Sequence, residues 1–129
     1  MSNPFTDTLV KQVKNKRIAA FIAAWDRLEA LVIRVYKSKA ASPEDEREWS
    51  QIHSQLAKAY SRWKDALHAF WQNATIGGER AKDDPFDRLL AAPNAHSFVG
   101  NWLAMQTLPA ARQAINQWLV DLIHKQHQH

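Results

Sequence analysis

Cysteine is absent from these 129 residues, which excludes disulfides, thiolate metal sites and a cysteine nucleophile. Glycine is scarce, with three residues, too few for an all-β or Rossmann-type chain with its many special turns. No apolar run is long enough to span a membrane. The most apolar stretch, Ile18 to Tyr36, is broken by Asp26, Arg27, Glu29 and Arg34,. The opening residues, Met1 to Asp7, lack a basic segment followed by an apolar core, so no secretory signal is read and the expectation is a cytoplasmic protein with no membrane partner. Catalytic signatures are missing too. There is no Ser/His/Asp order to exploit, no Gly-rich phosphate loop, no His-Glu-x-x-His and no recognisable nucleic-acid motif,. The expectation is therefore no enzyme, no cofactor and no metal.

What the chain does have is apolar surface in helical register. It is 46% hydrophobic and 23% charged, and its length allows one domain, residues 1–129, to bury a core without a staple. Six tryptophans, Trp25, Trp49, Trp63, Trp71, Trp102 and Trp118, can each bury about 150–250 Å². The residues Trp49, Ile52, Leu56, Tyr60, Trp63, Leu67 and Phe70 recur every three or four positions. They fall within about 80° of one another on a helical wheel, an apolar stripe around which other helices can gather.

Taken in order, residues 5–38 read as one long helix with Ile18, Phe21, Ile22, Trp25, Leu28, Val32 and Tyr36 on its apolar face. The stripe fails before Ile18, so residues 5–17 either project past the core as a basic end or turn a different face inward. Ser42-Pro43-Glu44-Asp45-Glu46 opens the second helix with an N-cap, a first-turn proline and acids that suit the macrodipole,. The short link predicts an antiparallel hairpin. Gly77-Gly78 ends the second helix, Asp84-Pro85 starts a short one, and Asn94 caps a third main helix over Ala95 to Gln106,. Leu108-Pro109 starts the last helix, and residues 125–129 read as a frayed tail. The sum is an all-α four-helix bundle: two long antiparallel helices, then a short helix and two further helices.

Candidate sites are few. Asp65-x-x-His68 and Asp121-x-x-His124 resemble di-iron spacing, but on the wheel each residue lies about 120–180° from its helix's apolar centre, facing water. His124, His127 and His129 lie in the frayed end and do not form a designed metal site. Glu29 sits about 40° from Trp25, inside the apolar face, where a carboxylate must be paired, hydrogen-bonded or protonated. The expected arrangement is a pair with a Lys or Arg of another helix. A ligand pocket would combine Glu29, Arg88, Asn101, Trp102 and Arg112 between the short, third and last helices.

Charge supplies the last clue. The net charge is +4. Residues 5–39 carry eight basic against three acidic side chains, leaving +5, and the rest of the chain carries −1. Lys11, Lys14, Lys16 and Arg17 crowd near a helix start, where positive charge opposes the dipole, so an acidic or phosphate partner is suggested. Three functions follow. The first is a non-enzymatic protein-interaction module that self-associates as a homodimer, with Val99 and Leu103 as interface, because the third helix is apolar nearly all round. The second is a small basic nucleic-acid-binding subunit using Lys11, Lys14, Lys16 and Arg17. The third is a small-ligand-binding bundle using the pocket above.

Overall fold

The computed structural model describes residues 3–72, 75–76, 79–80, 85–100 and 104–127. The fold is all-α, and the described residues form six helices: α1 (Pro4–Val13), α2 (Lys16–Ser38), α3 (Pro43–Trp71), α4 (Pro85–Ala91), α5 (Ala95–Gly100) and α6 (Ala104–Gln126). Between α3 and α4 two short strands, β1 (Thr75–Ile76) and β2 (Glu79–Arg80), pair antiparallel.

The expected single helix over residues 5–38 is in fact two. Lys14 takes a left-handed conformation (φ 56°) and its N–H bonds the Val10 carbonyl, closing α1. The Asn15 side chain then accepts from the N–H groups of Arg17 and Ile18, opening α2. A cap residue that satisfies the first orphan donors makes a new helix start, even where the chain looks continuous. The break lets α1 turn back. Its Leu9 and Val13 are buried, and the fully buried Thr6 hydroxyl donates to Asn116 Oδ1 on α6 at 2.6 Å. Gln126 donates to the Val13 carbonyl at the other end. Residues 5–13 therefore do not project; they lie along α6, and Lys16 and Arg17 open α2.

The α3 start is the one the sequence describes. The Ser42 hydroxyl accepts from Asp45 N–H, and Asp45 Oδ2 accepts from Ser42 N–H, each at 3.0 Å, a full capping box ahead of Pro43,. α2 and α3 form the antiparallel hairpin. Its register is held on the outside by Arg34 on Asp45 (2.9 Å) and Glu48 (2.8 Å).

Inside, α6 packs against α3, α1 and α2, while α5 packs on α2 and α3. Phe21, Trp25, Trp63 and Trp118 make a tilted and edge-on aromatic cluster at their junction, with Trp63 5.5 Å from Phe21 and 5.3 Å from Trp118. Such tilted and edge-on contacts are favoured over face-to-face stacking. A second cluster joins Trp49 to Phe98 of α5 at 5.2 Å. α4 is tied down by the Tyr60 hydroxyl on Asp87 (3.0 Å) and by His53 Nε2, which donates to the Leu90 carbonyl (3.2 Å). Trp71, which lies outside the apolar stripe, is 2% exposed. α4 and α5 also cover α3, so its buried face is wider than the stripe.

The last helix also begins earlier than expected. It runs from Ala104 through Pro109, so α5 stops at Gly100 and residues 104–106 belong to α6. Among the described residues no helix is long and apolar enough to cross a membrane.

Candidate functional site: two clefts on the α2 helix

Of the described residues in the sequence-derived pocket, two come together. Glu29 and Arg112 meet: Arg112 Nε donates to Glu29 Oε1 at 2.9 Å, and Trp25 Nε1 donates to the same oxygen at 2.9 Å. Arg112 Nη2 reaches Asp26 Oδ1 on the next turn of α2. This matches the expected role of Glu29 as an edge carboxylate held by a cation of another helix. Burial alone disfavours the Arg112 charge, but the Glu29 and Asp26 carboxylates outweigh it and hold the guanidinium above its ordinary pKa,. Beside the cluster lies a cleft of about 410 Å³, lined by Asn3, Glu29, Ile33, Leu108, Pro109 and Arg112. Its one cation is already shared by two carboxylates, so it offers no free positive charge. Arg112 Nη1 is buried with no partner among the described residues, as is Trp71 Nε1. Arg88 is exposed on α4 and lines neither this cleft nor the groove described next. Asn101, Trp102 and Leu103 lie outside the described residues.

Val99, expected to face a second copy, is 8% exposed and belongs to this chain's own core. α5 sits against both α2 and α3, which is where Val99 is buried.

The larger cleft is a groove of about 830 Å³ between α2 and α3. Its apolar lining is Ala20, Phe21, Ala23, Ala24, Ala59 and Trp63, and its charged lining is Arg17, Arg27, Lys58 and Arg62. No carboxylate is among the described residues that line it. Arg27 is engaged at one end, 3.9 Å from Glu48 and 3.5 Å from Gln51. The side chains of Arg17, Lys58 and Arg62 make no ion pair or hydrogen bond among the described residues. Of the four basic residues singled out from sequence, Lys11, Lys14, Lys16 and Arg17 are all exposed, but Arg17 alone lines the groove.

Lys58 and Arg62 were missed because they sit on α3, whose net charge is unremarkable. Their signal is spacing: Gln55, Lys58, Ala59 and Arg62 recur at three- and four-residue steps beside the apolar stripe, and Ala20, Ala23, Ala24 and Arg27 do the same on α2,. The antiparallel hairpin brings the two rows together.

Other candidate chemistry is not assembled. Asp65, His68 and His124 are exposed, Asp121 pairs with Lys125 (3.0 Å), and among the described residues no three His, Asp or Glu side chains gather as a metal site. Compared with known proteins, the chain matches no family model, no curated sequence and no solved structure.

Proposed function

We propose that this chain is a non-enzymatic helical interaction module whose α2/α3 groove receives an acidic partner protein. The observation that carries the reading is the pairing of an apolar floor with three unpaired cations, Arg17, Lys58 and Arg62, and no lining carboxylate among the described residues. Charges needed only for solubility are interspersed in sign and stand alone on the surface. Cations of one sign that rim an apolar groove raise the local concentration of an anionic partner and orient it on arrival.

The reading is tested by comparing two variants of equal net charge on a heparin column, with heparin as a generic polyanion. Arg17→Gln/Lys58→Gln/Arg62→Gln is expected to elute at clearly lower salt than Lys11→Gln/Lys14→Gln/Lys37→Gln. All six positions are exposed, so the fold is retained in both. Equal elution would mean that net charge alone acts and that the groove is not the binding surface.

A further inference from the structure

Resting on that reading, we infer that the occupant of the groove is an acidic amphipathic helix of about three turns, contributed by another protein. Length comes first. The groove runs from Arg17 to Arg27 along α2, about 15 Å at the α-helical rise per residue. A helix of ten or eleven residues fits that span.

Shape comes next. The α2 wall is Ala20, Ala23 and Ala24, and the α3 wall contributes Ala59 and Ser61. Small side chains along both walls leave the surface low between the two helix axes, so a third helix can seat its ridge close to the hairpin. Ala20 and Ala23 are exposed, while Phe21 and Ala24 form the buried floor. On the opposite side the same hairpin already carries α6 and α5, so the groove repeats, on the open side, a mode of packing this chain uses within its own core.

Charge then selects among helices. Arg34 on Asp45 and Arg27 near Gln51 set the hairpin register. Continued toward the α2 N-terminus, that register sets Arg17 close to Arg62, one on each wall. Lys58 lies one turn further along α3,. A docked helix with leucines or similar residues on its inner face and carboxylates on both flanks satisfies all three cations at once, the helix-in-groove mode of recognition.

Among the described residues a second copy of this chain offers no such surface. Three acids of its most acidic segment are committed: Asp45 and Glu48 hold Arg34, and Glu46 accepts from the Ala95 N–H at 2.6 Å. Single-stranded nucleic acid suits the groove less well, because sequence-tolerant binding of single strands relies on bases stacking on free aromatic faces. The one aromatic ring partly open in the groove, Trp63, is packed against Phe21 and Trp118, and the exposed aromatics Phe5 and Tyr36 are not part of its lining.

The test uses fluorescence anisotropy with three labelled probes against the full chain. The first is a fourteen-residue capped peptide with leucine at helical a, d and e positions and glutamate elsewhere. The second has the same composition permuted to break the helical period, and the third is a fourteen-nucleotide oligothymidylate. The expected result is micromolar binding of the first peptide and at least tenfold weaker binding of the other two. Arg17→Glu/Lys58→Glu/Arg62→Glu should lose tenfold or more. Ala23→Trp, which fills the groove from an exposed position, should do the same, with circular dichroism confirming that each variant is folded. Equal binding of the permuted peptide would overturn the helical occupant, and tighter binding of the oligonucleotide would overturn it in favour of nucleic acid. If no probe binds while the heparin comparison still singles out the groove, the helix is wrong and the cationic, anion-binding groove stands. If the heparin comparison also fails, both are wrong.

Discussion

Arg112 reaches across from α6 to two carboxylates on α2, and its side chain is 8% exposed against 17% for Asp26 and 23% for Glu29. Three charges held this far from water depend on one another. Removing the cation leaves two carboxylates close together in a half-dry site, which costs far more than the pair itself is worth. Arg112→Met is therefore expected to destabilise the fold by about 3 kcal/mol, the lower end for a buried pair because both acids keep some solvent. Arg34 also pairs with two carboxylates, Asp45 at 2.9 Å and Glu48 at 2.8 Å, but its side chain is 50% exposed. Arg34→Ala is expected to cost under about 1 kcal/mol. Urea unfolding of the two variants checks the contrast; similar losses would show that burial is not what makes the Arg112 cluster matter. The Glu29 environment was legible in the sequence, since a carboxylate 40° from Trp25 on a helix (about that angle on a wheel) must find a partner. Which cation supplies it was not, because residues 29 and 112 are joined only by the packing of α6 on α2.

At the scale of elements, caps decided which boundaries the sequence could disclose. Ser42-Pro43 announces α3 because an N-cap, a first-turn proline and acids coincide there,. The break at Lys14-Asn15 carries no such announcement: a left-handed lysine replaces the glycine that usually marks a helix end,. Asn15 is one polar residue inside a basic run. Pro109 misleads in the other direction, since it reads as a helix start yet lies within α6, where its missing N–H leaves one carbonyl of the preceding turn without its usual donor.

The α3 capping box also predicts a pH dependence. The Ser42 N–H lowers the Asp45 pKa most; burial opposes this, and the Arg34 guanidinium and Ser42 hydroxyl add to the lowering,. A carboxyl held below its unfolded value takes up its proton later in the folded chain than in the unfolded one. Its contribution is therefore complete above the ordinary carboxylate range, about pH 4, and is lost as pH falls through the lowered folded value. Asp45→Asn should lower the urea midpoint at pH 7, and the gap from the unaltered protein should close as pH falls below 4. A gap that stays constant with pH would contradict this role for Asp45.

Over the whole molecule, the sequence disclosed the sign of the excess charge but not the groove that part of it lines. Counting charges puts the basic excess in residues 5–39 and draws the eye to Lys11, Lys14 and Lys16. Folding turns α1 back along α6 and sets Arg17 beside Lys58 and Arg62 from a segment forty residues away. A cluster built from two helices has no contiguous signature, so only the spacing within each helix was there to read. Val99 shows the converse: it looked like an interface residue and is core, because α5 packs against both members of the hairpin.

Where an anion lands on the chain decides the role of the groove, and amide chemical-shift mapping by NMR measures that directly. A ¹⁵N-labelled sample titrated with a heparin-derived tetrasaccharide is expected to shift amides of residues 17–27 and 55–63, with saturation at one equivalent and weakening as salt is raised. Shifts centred on Lys11 and Lys14, or spread evenly over all exposed lysines and arginines, would contradict the groove as the binding surface.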